Sequence, residues 1–161
     1  MSGSWRTATT ALALIVACAV HVALGGSLHF AGCRPNLAVA SLLVVCLFAG
    51  PCGAAGWGLL VGTFEAAYAA DLAGSYMVSR TLIASVVGSL EARVFRDSAL
   101  VAIGVGLLGT LAVESVFAVF APPSDGLAWL RRIAGTACAN GALAPILYYS
   151  LRPLASRRPD L

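Results

Sequence analysis

Lysine is absent from this 161-residue chain, and charged residues of every kind make up only 11% of it. The ten basic residues are all arginine, and against seven acids they leave a net charge of +3. That charge is small, scattered and not interleaved with aromatics, which argues against a nucleic-acid surface. The five cysteines, Cys18, Cys33, Cys46, Cys52 and Cys138, are odd in number and contain no Cys-x-x-Cys pair. A disulfide framework or a zinc site needs paired, closely spaced ligands. The cysteines therefore read as small apolar packing residues, with Cys33 and Cys52, near segment ends, the most accessible. No His-Glu-x-x-His, no Walker loop and no Ser–His–acid order is present, and Gly26-Ser27 and Gly88-Ser89 are not nucleophile elbows. The sequence thus points to no catalytic residue, no metal and no cofactor. Long loops are missing too: the longest connection, Phe120 to Leu130, leaves no room for a soluble catalytic module.

What fills the chain is apolar. Hydrophobic residues make up 60% of it, and the mean hydropathy is +0.90. A soluble domain of this size has too much surface for such a composition. Six apolar stretches predict an all-α integral membrane protein, a compact bundle of six transmembrane helices in a single domain. They are expected at about 7–30, 37–49, 54–70, 76–90, 98–120 and 133–151. The first is read as a retained signal anchor, because it is long for a cleaved signal and His21 interrupts it. The breaker pair Gly50-Pro51, the turn Ala73-Gly74-Ser75, the charged stretch Glu91 to Asp97 and the loop Pro122 to Gly126 separate the others. A basic tail, 152–161, follows. Segments two to four are shorter than the ~20 residues that span a typical core, so they must sit in a thinned bilayer, pack on longer neighbours or be partly shielded by a partner, and a re-entrant path for them stays open.

Arginine placement sets the orientation. With the N-terminus inside, the inner regions hold Arg6, Arg93, Arg96, Arg152, Arg157 and Arg158, and the outer ones hold Arg34, Arg131 and Arg132. Both termini are therefore expected in the cytoplasm, with Trp129 and the Arg131-Arg132 pair anchoring one interface.

Ionisable groups inside apolar segments face a bundle interior or a partner. Glu65 lies near the outer end of segment three, Arg80 near the outer start of segment four, and Glu114 near the outer end of segment five. At ~1.5 Å rise per residue the three fall at one level. Arg80 is expected to bridge Glu65 and Glu114, since a guanidinium suits a bidentate buried contact. This reads first as a polar clasp between helices and second as a ligand or partner site. Charge reversal at Arg80 should cripple assembly, and Glu114→Arg should partly restore it. Gly58-x-x-x-Gly62 predicts close approach of a second helix. Asp71 is expected to cap segment four, and Asp97 or Ser98 segment five. His21 and His29 read as packing residues. Asn140 needs a buried partner, and Pro145 frees the Gly141 carbonyl, giving either a packed kink or a docking notch.

Taken in order, Arg34-Pro35-Asn36-Leu37, Gly58-x-x-x-Gly62, Asp71-Leu72 with Gly74-Ser75, Glu114, Asn140-Gly141 with Pro145, and the basic tail resemble the rod shape-determining protein MreD family over nearly the whole chain. The acid of segment three comes earlier than in that family, at Glu65, and Asp71 is displaced. The resemblance implies a non-enzymatic scaffold of the bacterial cell-elongation machinery in the inner membrane. It would bind a MreC-like bitopic protein and help couple MreB-like filaments to a RodA-like peptidoglycan polymerase and its transpeptidase. It also implies a six-helix fold like the S-components of energy-coupling-factor transporters, and partner-interface roles for Arg34, Pro35, Asn36, Gly58, Gly62, Asp71, Asn140, Gly141 and Pro145. The competing reading is the substrate-binding subunit of a vitamin-type transporter, with Glu65, Arg80 and Glu114 lining a cavity able to hold a zwitterion. Only three tryptophans, Trp5, Trp57 and Trp129, are available for an aromatic cage.

Overall fold

The computed structural model describes residues 3–24, 34–70, 72–90 and 98–155. Within them lie six α-helices: α1 (Gly3–Leu24), α2 (Leu37–Cys46), α3 (Pro51–Ala69), α4 (Ala73–Leu90), α5 (Ala99–Phe120) and α6 (Gly126–Ala155). The number and order match the six apolar stretches, and the differences lie at the ends. The α-helical part of α2 stops at Cys46, because Leu47, Phe48 and Ala49 donate to carbonyls three residues back and tighten the last turn. Pro51 does not keep the chain out of helix: it is the first residue of α3, where its missing N–H removes no helical bond. Ala73, Gly74 and Ser75, expected as a turn, form the first turn of α4. α1 ends at Leu24, short of residue 30.

The largest correction falls on α6. It begins at Gly126, seven residues before the expected start, and runs through Arg152 to Ala155. Asp125 starts it by accepting from the backbone N–H groups of Leu127 and Ala128, both at 3.0 Å. An Asp just ahead of a helix is a strong N-cap, and most of the expected long connection is therefore helix. Pro145 and Pro153 lie inside α6, which continues through both. The Ser98 hydroxyl caps α5 by accepting from Leu100 N–H at 3.2 Å. Asp71 and Asp97, expected as caps, Cys33, expected to be accessible, and His29, expected to pack, lie outside the described residues, as does the tail beyond Ala155.

α2 is apolar on every face, and such a helix has to be enclosed. Its residues from Ala38 to Cys46 are all buried. It touches each of the other five helices, and those five close a ring around it in the order α1, α3, α4, α5, α6 and back to α1. Of the options for a short segment, α2 takes packing against longer neighbours. The ring is tight where glycine allows. A Cβ on Gly58 would lie 2.6 Å from the Arg80 carbonyl oxygen, and one on Gly62 would lie 2.8 Å from Met77 Cα. The Gly58–Gly62 pair thus seats α3 on α4, within the chain. Gly106 and Gly141 do the same between α5 and α6.

A few polar side chains are buried within an otherwise apolar core. The largest fully buried side chain is Arg80, and Asn140 and Thr110 are fully buried as well. Large apolar side chains cover the outside, among them Leu12 and Val16 on α1, Val78, Leu82 and Val86 on α4, and Leu100 and Leu108 on α5. Two helical stretches, Trp5–Ala23 and Ala99–Phe120, are long and apolar enough to cross a membrane.

Candidate functional site

The polar residues meet at the end of the bundle where α1, α3 and α5 finish and α2, α4 and α6 begin. Arg80, 2% exposed, is held on every side. Its Nε donates to Glu65 Oε2 at 2.7 Å, and its Nη1 donates to the Ser79 hydroxyl at 2.8 Å. Nη2 lies 3.5 Å from Glu114 Oε1. The rings of Tyr76 and Phe117 stand 4.7 and 5.4 Å from the guanidinium carbon, where their π-faces attract the cation. The expected clasp of Glu65, Arg80 and Glu114 is therefore present but asymmetric. Glu65 makes a short, charge-assisted bond, whereas Glu114 makes only a long contact.

Asn36 extends the clasp to the rest of the bundle. Its Nδ2 donates to Glu65 Oε1 at 2.9 Å, and its Oδ1 accepts from Val39 N–H at 3.0 Å, capping α2. Its own backbone N–H donates to Asn140 Oδ1 at 2.9 Å. Asn140 Nδ2 in turn donates to the Thr110 hydroxyl at 2.9 Å, which donates to the Gly106 carbonyl at 2.6 Å. One unbroken chain of hydrogen bonds thus links α5, α6, α2, α3 and α4. Among the described residues the one buried side-chain polar atom without a partner is Thr81 Oγ1, so the network itself is fully satisfied. Satisfied buried networks fix a unique arrangement of the elements they join.

The structure brings together Glu65, Arg80, Glu114, Asn36 and Asn140, which the sequence treated as two separate groups. Asn140 is enclosed by protein, so it finds the partner it needs inside the chain. Arg34 is exposed beside this network, and its carbonyl accepts from the Thr136 hydroxyl at 2.9 Å. Pro35 precedes the α2 cap, and Pro145 lies in α6 one turn beyond Gly141. Sequence reasoning missed Thr110 and Ser79, whose only signal was a hydroxyl in an apolar helix. An Asn140→Leu variant leaves the Asn36 N–H and the Thr110 hydroxyl without their partner. A loss of roughly 1–3 kcal/mol is expected, read as a lower midpoint of thermal unfolding in detergent.

Beside the clasp lies a cavity of about 300 Å³. Cys18 and His21 of α1, Glu65 and Tyr68 of α3, Tyr76 and Arg80 of α4, Glu114 of α5 and Arg132 of α6 contribute to its walls. No group of three or more metal-ligating side chains occurs among the described residues.

Compared with known proteins, the chain matches no family model, no curated protein and no solved structure.

Proposed function

We propose that this chain is a multi-pass inner-membrane scaffold of the bacterial cell-elongation machinery that binds a MreC-like bitopic protein. All six helices would span or line the membrane domain, with both termini in the cytoplasm. The observation that carries the membrane reading is where the charges lie. Among the described residues, Arg6, Arg34, Asp125 and Arg152 lie within about one turn of a helix terminus, Arg131 and Arg132 lie farther along α6, and Glu65, Arg80 and Glu114 turn inward to one cavity, which Arg132 also borders. Water does not require that sorting; lipid does. α3 and α4 have 19 and 18 residues, ~27–28 Å at 1.5 Å each. α4 is less apolar on average because Ser75, Ser79 and Arg80 are buried, yet its outer stripe is Val78, Leu82, Val86 and Leu90.

The scaffold reading is supported by the order of the family-like motifs and by the rigidity expected of a hub, a closed ring and a satisfied network. The resemblance supplies the partner. Thiol labelling in intact cells checks the topology. With Cys33 and Cys138 replaced by alanine, Cys52, exposed at the start of α3, should resist a membrane-impermeant maleimide, and a cysteine placed at exposed Tyr68 should react. Co-purification checks the partner: the tagged chain should recover a bitopic coiled-coil protein from its own host in near-stoichiometric amount. Charge removal at exposed Arg34 should lower that recovery without lowering thermal stability. Unchanged recovery from every variant, or no bitopic protein at all, overturns the scaffold reading.

A further inference from the structure

The cavity beside the clasp holds two carboxylates and two guanidinium groups, but they do not form two pairs. Glu65 and Arg80 satisfy each other at 2.7 Å, and the second Glu65 oxygen is taken by Asn36. Glu114 is left with a 3.5 Å contact to a guanidinium already paired elsewhere. Its side chain keeps 18% exposure, and the space it faces is the cavity. Arg132 borders the same cavity from α6 and makes no ion pair within 4 Å among the described residues. The half-met charge of Glu114 and the exposed guanidinium of Arg132 thus border one polar space. His21, the remaining titratable nitrogen in the wall, is carried by α1.

We propose that this cavity binds a small zwitterion, with its ammonium on Glu114 and its anionic group on Arg132. The cavity, about 300 Å³ and partly open to the outside, has room for an amino acid or the head of a zwitterionic phospholipid. Tyr68 also borders the cavity, whereas the Tyr76 ring is already engaged by Arg80. The two charges together favour a zwitterion: an amine alone makes no contact with Arg132, and a carboxylate alone makes none with Glu114. The scaffold reading is not needed for this inference.

The test uses the full chain in nanodiscs of phosphatidylglycerol, with no partner protein present. It is titrated by thermal shift with L-leucine and with O-phosphoethanolamine, one probe for each source. 3-Methylbutylamine and 4-methylpentanoate serve as single-charge controls. A saturable shift is expected for at least one zwitterion, with both controls weaker by about tenfold or more. L-leucine preferred marks a free metabolite, and phosphoethanolamine preferred marks a lipid head. Glu114→Gln should abolish the shift. Arg132→Gln, at an exposed position that leaves the clasp intact, should weaken it by a similar factor and guards against misfolding of the first variant. No saturable shift with either zwitterion, equal binding of the amine, or full binding by Arg132→Gln overturns the proposal.

Discussion

The Arg80→Ala variant should give no monodisperse protein on extraction. The substitution leaves the Glu65 carboxylate buried with Asn36 as its remaining partner, and it removes the cation that Glu114 contacts. Stripping one member from a buried ion pair costs roughly 3–5 kcal/mol. Against a total stability of about 5–15 kcal/mol, that is enough to unfold a marginal bundle. The control isolates charge from packing. In a Glu114→Gln background, Arg80→Met combined with Glu65→Gln removes the remaining clasp charges with side chains of roughly similar volume, and it retains an amide oxygen for Asn36. That pair should fold with a thermal midpoint near the parent's, because a buried pair replaced by groups of similar volume is often neutral. If Arg80→Ala alone runs as a sharp, stable peak, the clasp does not hold the bundle. Geometry also changes which partner should rescue a charge reversal. With Glu65 at 2.7 Å and Glu114 at 3.5 Å, Arg80→Glu should be relieved more by Glu65→Arg than by Glu114→Arg.

Gly58→Leu is expected to do comparable damage by a different route. Even the first added carbon would sit 2.6 Å from the Arg80 carbonyl oxygen, 2.7 Å from Thr81 Cα and 2.8 Å from Ala84 Cβ. Two of those three atoms are backbone, so α3 and α4 must separate. Overpacking typically costs about 1–3 kcal/mol, and here the separation also stretches the Glu65–Arg80 bond on the same interface. The loss should therefore exceed that range and show as aggregation or a strongly lowered unfolding midpoint. Gly56→Ala is the matched control. Nothing lies within 4 Å of a Cβ at Gly56, so alanine should stabilise by roughly 0.5–1 kcal/mol through helix propensity. Equal behaviour of the two variants would mean that the close approach of α3 and α4 carries no weight.

Much of the clasp was legible because it depends on one periodic quantity, the rise of a helix. Counting residues from the turns put Glu65, Arg80 and Glu114 at one level, and the structure places them together. The links through Asn36 were not legible. Asn36 and Asn140 stand 104 residues apart, and local pattern does not say which of several helices faces another. The central place of α2 was hidden for a related reason: a segment apolar all round has no face to read. The start of α6 was misjudged because arginine and proline near Trp129 resemble a loop. The better signal there was Asp125, an N-cap residue one position ahead of an apolar helix.

The enclosure of α2 bears on how the protein is made. Ten residues of helix reach about 15 Å, half of a ~30 Å hydrocarbon layer. On the membrane reading proposed above, a nascent chain that has only just delivered this segment cannot leave it alone among acyl chains. The Asn36 backbone must wait for Asn140, 104 residues later, before its hydrogen bond closes. Chains that stop before α6 should therefore be substrates for membrane proteases, with accumulation rising abruptly once synthesis passes Asn140.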